Sequence, residues 1–206
     1  MTKKLQIRGD IKKAGGIVVL DHQAVVHPNT VKGEDVDVST LDSAKIVCFH
    51  APVEAAPNTN PGKFIIQVSG ITVGDDDWAT IDEHVVAAIT PATEVFTAVG
   101  AGQTELLVAS TAGFASGDGL YIQDISDVEG CEWELCRKIV TDVSIDLIDG
   151  LSRAKETNDI AWNGAELFIT EIDLHNVIRV RVVFQHEGAV GANAHVRALM
   201  TVNDNN

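Results

Sequence analysis

The stretch Asn176–Val202, NVIRVRVVFQHEGAVGANAHVRALMTV, decides the fold. Ile178, Val180, Val182 and Phe184 alternate with Arg179, Arg181, Val183 and Gln185. After a connection, His195, Arg197, Leu199 and Thr201 alternate with Val196, Ala198, Met200 and Val202. A period of two puts one face against a core and the other in water, the pattern of a half-buried antiparallel strand. Gly188 and Gly191, in the connection Glu187–Asn193, supply the backbone freedom of a reversal. The expectation is a long terminal hairpin, with a second hairpin far upstream built to pair with it.

Working outward, Ala44–His50 and Lys63–Gly70 read as strands separated by the turn Asn58-Thr59-Asn60-Pro61-Gly62, and Leu167–Asp173 alternates again. Between Pro91 and Asn163 the texture changes to short strands at Glu105–Val108, Leu120–Asp124, Glu132–Val140 and Ser144–Leu147. Gly113–Gly119 and Asp149-Gly150 are turns among them, and the whole reads as a small β-barrel or sheet. No stretch longer than about ten residues keeps a helical period. The fold class expected is all-β: residues 1–34 an N-terminal arm, 35–90 and 164–206 together a discontinuous jelly-roll-like β-sandwich, and 91–163 an inserted β-module.

The chain has 206 residues and a formal net charge of −15, which argues against a nucleic-acid or anionic-membrane binder. Within residues 1–13, five basic residues (Lys3, Lys4, Arg8, Lys12 and Lys13) stand against Asp10. That gives the arm +4, so the other 193 residues carry −19. A basic arm on an acidic body suits a terminus that docks onto something acidic, such as a neighbouring copy. No apolar run has the length of a signal peptide or membrane span, so the expected site of synthesis and assembly is a cytoplasm. Cys131 and Cys136 would point to opposite faces of a strand, and with Cys48 the count is odd, which favours buried free thiols over a disulfide.

Chemistry-bearing patterns are sparse. The seven histidines (His22, His27, His50, His84, His175, His186 and His195) include no HxH or HExxH spacing. His22 and His27 with Asp21 are the nearest local cluster, and His186 and His195 would face each other across the last hairpin as polar rim residues. Asp75, Asp76 and Asp77 are consecutive and lack calcium-loop spacing, so they read as a solvated turn. The glycines of Gly113–Gly119 lead into a strand, where a phosphate loop needs a helix N-terminus. Trp78, Trp133 and Trp162 are widely spaced. The expectation is a protein that is not an enzyme, with no cofactor and no metal.

Several segments together carry a resemblance. Gly113-Phe114-Ala115-Ser116-Gly117-Asp118-Gly119-Leu120-Tyr121-Ile122, followed by Glu134–Ile139, Ile145-Asp146-Leu147 and Ile148-Asp149-Gly150-Leu151, resembles a small β-module of tailed-phage virion proteins. Asn58–Gln67 with Asp76-Asp77-Trp78, and the closing Arg179–Val202 segment, resemble the jelly-roll part of tailed-bacteriophage capsid decoration (cement) proteins. The resemblance implies a virion structural protein made in the host cytoplasm. It would sit on the outer capsid surface as a homotrimer, binding and stabilising the major capsid protein, with no direct nucleic-acid or membrane contact. The capsid or subunit contacts expected are Lys3, Lys4, Arg8, Lys12, Lys13, Arg179, Arg181 and Arg197, with His195 beside them. The alternatives are a phage tail or baseplate component, a carbohydrate-binding β-sandwich with exposed tryptophans, and a metal enzyme built on the histidines.

Overall fold

The computed structural model describes residues 16–26, 29–53, 62–72, 74, 77–86, 92–187 and 193–202. Lys3, Lys4, Arg8, Lys12, Lys13, His27, Asp75, Asp76 and most of the two expected turns at 58–62 and 187–193 lie outside them. The chain begins with β1 (Ile17–Val26), β2 (Thr30–Lys32), β3 (Val36–Asp37), β4 (Ser43–Pro52), β5 (Lys63–Ser69) and β6 (Ala79–Val85). Next come β7 (Ala92–Glu94), β8 (Glu105–Leu107), β9 (Gly119–Gln123), β10 (Glu132–Val140), β11 (Ser144–Leu147) and β12 (Ile160–Asn163), with one 3-10 turn at Val128–Gly130. β13 (Glu166–Asp173), β14 (Arg179–Gln185) and β15 (Asn193–Val202) follow. The all-β expectation holds among the described residues. Ala88–Glu166 belongs to one compact unit, and Ala14–His50, Asn58–Ala87 and Leu167–Asn206 form another.

The second unit is a sandwich. One sheet runs β1-β15-β4-β13 and the other β2-β14-β5-β6, with β3 also on β14. Ile17–Val26 and Thr30–Lys32, expected in the arm, are therefore strands of the sandwich. The terminal hairpin is corrected too. β14 pairs with β5 on one side and with β2 and β3 on the other, whereas β15 pairs with β1 in the opposite sheet. β14 and β15 therefore belong to opposite sheets and do not form one hairpin. The reason is that Val180, Val182 and Phe184 of β14 and Val196, Ala198 and Met200 of β15 must bury against each other from opposite layers. Phe64 and Phe184, directly opposite in register, pack with ring centroids 4.9 Å apart and a 58° tilt. Burying each such side chain contributes about 1.5–3 kcal/mol.

The expected wet face of β14 is also absent: all six residues Arg179–Phe184 are buried. β14 is an interior strand of its sheet, and Trp78 lies over its arginines, as described below. β1 departs from regular pairing twice. Its register against β15 advances from Val18↔Leu199 to Leu20↔Ala198 and then to Gln23↔Val196, one extra residue on β1 each time. The first bulge turns consecutive residues Val19 and Leu20 into the core. It also brings the Val19 carbonyl so close to Gly33 that a Cβ there would stand 1.8 Å from its oxygen, so only glycine fits.

The first unit is a six-stranded sheet ordered β7-β12-β9-β10-β11-β8. It curls until its two edges meet: Val95 bridges Val108, Phe96 N–H donates to the Leu107 carbonyl at 2.8 Å, and Ala109 N–H to that of Glu94 at 2.9 Å. Curling in this way shields edge strands that would otherwise stay unpaired. Leu106, Leu120, Ile122, Ile145, Leu147 and Ala161 fill the interior. The glycine-rich turn that leads into β9 is cross-braced. Asp118 Oδ2 accepts from Ala115 N–H at 2.7 Å and from Asn163 Nδ2 at 2.8 Å, and Asn163 Nδ2 also reaches the Gly113 carbonyl at 2.9 Å. At Gly119 a Cβ would sit 2.0 Å from the Ala165 carbonyl oxygen, which explains the glycine after Asp118.

Candidate functional site

Arg179 and Arg181 stand two apart on β14 and so share its outer face. Arg179 donates through Nε to the Ile71 carbonyl at 2.8 Å and through Nη2 to the Gly74 carbonyl at 2.8 Å, and its Nη1 pairs with Asp35 Oδ2 at 3.0 Å. Arg181 Nε donates to Gln67 Oε1 at 2.8 Å. Both guanidinium carbons lie over the Trp78 ring, 4.7 Å and 4.0 Å from its centroid. Cation–π contacts of this kind contribute about 0.5–2 kcal/mol each. The two arginines thus clasp the 69–78 segment to the sheet. Arg197, on β15, is half-buried beside His22.

The structure pairs the histidines differently from the sequence. His186 does not face His195 across a hairpin. It stands instead by Phe184, with which it makes an edge contact at 6.1 Å, and close enough to His50 to act on its charge. Burial and then the His186 charge hold His50 down at about 3. His195 meets His22, with Nδ1 of one ring 3.3 Å from Nε2 of the other and the ring planes at 65°. Burial first, then His195 and Arg197, bring His22 to about 4, and burial brings His195 to about 4. No spacing rule finds this pair, because it depends on the second bulge of β1, which falls between Leu20 and Gln23. Beside the bulge an open groove of about 370 Å³ is lined by Leu20, Asp21, Gln23, Lys32 and Glu34. Among the described residues no three His, Cys, Asp or Glu side chains converge to hold a metal ion.

A third histidine makes a group with the outline of a nucleophilic relay. Thr170 Oγ1 lies 2.6 Å from His84 Nε2 and donates its proton to Asp82 Oδ2 at 2.7 Å. Asp82 also approaches the same His84 nitrogen, at 3.2 Å. A relay needs the carboxylate on the far imidazole nitrogen and the hydroxyl proton directed at the base. Here the hydroxyl proton is spent on the carboxylate, and His84 stacks on Phe168 at 4.9 Å. The group links β6 to β13 and does not activate Thr170.

In the small curled unit the unexpected feature is Lys155, fully buried at 0% exposure. Its Nζ pairs with Glu132 Oε1 at 2.7 Å and donates to the Gly130 carbonyl. Glu132 Oε2 accepts from Ser152 N–H at 2.8 Å and Ser152 Oγ at 2.6 Å. Burial alone would raise the Glu132 carboxyl, but the Lys155 and Ser152 hydrogen bonds outweigh it and hold it at about 2. Every nearby donor stabilises the charged carboxylate, so the pair stays an ion pair. Cys48 and Cys136 are buried thiols pushed up by burial, Cys136 to about 11, while Cys131 is half-buried.

The tryptophans offer no stacking platform. Trp133 is buried against Tyr121 at 4.7 Å, Trp162 Nε1 donates to Gln123 at 2.9 Å, and the Trp78 ring face is taken by the arginines. None of the three is exposed, so the carbohydrate-binding reading loses the feature it required. Among the described residues, the exposed large apolar residues of the small unit are instead Phe96, at 70%, with Ile125, Val128, Val143 and Ile148. Comparison with protein families, with curated proteins and with solved structures finds no match to this chain.

Proposed function

We propose that the chain is a virion structural protein, a capsid decoration protein whose sandwich is a jelly roll. The strand order carries the reading. With β2 and β3 counted as one, the sandwich has eight strands in chain order, arranged 1-8-3-6 in one sheet and 2-7-4-5 in the other. First neighbours last, second neighbours seventh, third sixth and fourth fifth. A long antiparallel ribbon of four strand pairs rolled on itself gives that order, and the same roll recurs in viral capsid and lectin domains. The small curled unit occupies the connection between the fifth and sixth strands, where an insertion leaves the rolled ribbon intact.

The same reading assigns the contacts. The basic side chains Lys3, Lys4, Arg8, Lys12 and Lys13 dock onto the acidic outer face of the major capsid shell, and copies associate as trimers. Many weak contacts repeated over a shell add through multivalency. Within the chain Arg179 and Arg181 are engaged by Trp78 and Asp35, which leaves them little free surface. The test is co-sedimentation of the purified chain with expanded and unexpanded shells of the major capsid protein from the same virus, with light scattering for the free mass. Saturable binding to expanded shells, lost on deleting residues 1–13, is expected. A folded oligomer that ignores both shells yet co-purifies with tails at low copy number would move the protein to the tail.

A further inference from the structure

β1 is an edge strand of its sheet, and its ladder to β15 is interrupted at Asp21 and His22. At that interruption β1 carries one residue more than β15 and the ladder is locally disrupted. The His22 and His195 rings, 3.3 Å apart at nitrogen, close the gap. His195 alternates with the core residues Ala194 and Val196, so the contact lies on the outer side of the sheet. Arg197 stands beside His22 from β15, and Asp21 from β1. Lys32 and Glu34 share the neighbouring groove with Asp21. From β4, the other neighbour of β15, Lys45 is held by Glu171 at 2.8 Å. Among the described residues, then, Arg197 and Asp21 are the fixed charges that act on His22.

We propose that His22 and His195 form an acid-sensitive latch on β1. Neutral, the two rings share one proton across the gap and hold the edge strand to β15. With both rings protonated, two imidazolium ions stand in contact beside the Arg197 guanidinium, which is on the same strand as His195, and the seam between β1 and β15 opens while the β14–β5 side of the sandwich stays closed. The inference stands whether or not the protein binds a capsid. Burial acts in the same direction, because it favours the uncharged rings that the closed seam requires.

Hydrogen exchange read by mass spectrometry at about pH 7 and about pH 4, corrected for intrinsic rates, tests the latch. Peptides covering Ile17–Val26 should lose protection on acidification about tenfold or more beyond whatever loss Lys63–Ser69 and Arg179–Gln185 show. In the double variant His22→Gln/His195→Gln, whose amides cannot take up a proton, the selective loss should disappear. Equal loss over both sheets, or an unchanged loss in the variant, overturns the latch. Should the variant fail to fold, imidazole titration of the wild-type chain by NMR decides. His22 and His195 titrating together with the opening of β1 support the latch, and ordinary titration with β1 still closed refutes it.

Discussion

The two units of this chain solve burial in opposite ways. The sandwich is apolar through its middle, and three of its histidines, with lowered pKa, are neutral near neutrality: His50 inside, His22 and His195 at the edge. The curled unit keeps a charged pair at its heart, with Lys155 and Glu132 fully engaged by each other, by Gly130 and by Ser152. A neutral imidazole tolerates burial only while it stays neutral. A buried ion pair tolerates it only while both partners remain. The first arrangement is therefore exposed to acid and the second to mutation.

The largest effect should come from breaking the ion pair. Lys155→Ala leaves the Glu132 carboxylate buried without its cation, and the curled unit should lose about 3–5 kcal/mol. Two resolved unfolding transitions in calorimetry would show it, with only one displaced. Replacing both partners at once, Lys155→Met with Glu132→Gln, should recover much of the loss, because no lone charge remains. A recovery of nothing would mean that the pair holds the fold by shape and not by charge.

Acid should weaken the sandwich before the curled unit. For His50 the folded form binds its proton only near pH 3, against 6.5 when unfolded, so the unfolded chain takes up protons first as pH falls. The sandwich therefore holds its full stability above about pH 6.5 and loses it progressively below, by roughly 3 kcal/mol at pH 4 from His50 alone. Glu132 runs the other way. Its carboxyl is depressed to about 2 from 4.5, so its contribution is complete above about pH 4.5 and fades only as pH falls toward 2. Between pH 6.5 and 4.5 the sandwich transition should drop while the other holds. Parallel decline of both would erase the distinction.

A smaller effect tests the brace of the curled unit. Asn163→Ala removes the donor shared by Asp118 and the Gly113 carbonyl, and should cost about 1–3 kcal/mol as those acceptors lose a partner in a half-buried place. Asn163→Asp should cost more, because it sets a second carboxylate beside Asp118. Denaturant titration followed through Trp133 and Trp162, both in this unit, reads the change.

What the sequence disclosed follows the same division. Alternation in Ile178–Phe184 and Val196–Val202 was enough to name the strands and their inner faces. It pointed to a hairpin between them, wrongly, because a seven-residue link suits a loose hairpin and a connection between opposite sheets equally well. Turn chemistry found most strands of the curled unit but missed β7 and β12, of three and four residues, whose pairing is decided at long range. Lys155 sits in Arg153-Ala154-Lys155-Glu156, a run that reads as solvated, and its partner Glu132 is far upstream. The His22–His195 contact requires two bulges that no alternation rule places. Long-range pairing, not local propensity, made the candidate sites.

The finest comparison sets the outer face of β14 against the inner. Inside, Val180, Val182 and Phe184 are held by apolar packing. Outside, Arg179 and Arg181 are held by Trp78 and by carbonyls of the loop it belongs to. If the indole acts through its π face, Trp78→Leu should weaken the sandwich by only about 1–2 kcal/mol beyond the lost area, since an apolar cover remains. A double-mutant cycle with Arg181→Met isolates the term, and a coupling of about 0.5–2 kcal/mol is expected. Arg179 should couple less than Arg181, because its guanidinium lies farther from the ring and is already paired with Asp35 and two carbonyls. Zero coupling at Arg181 would make Trp78 a lid by area alone, and the burial of β14 on both faces would then rest on the hydrogen bonds from Arg179 to the loop.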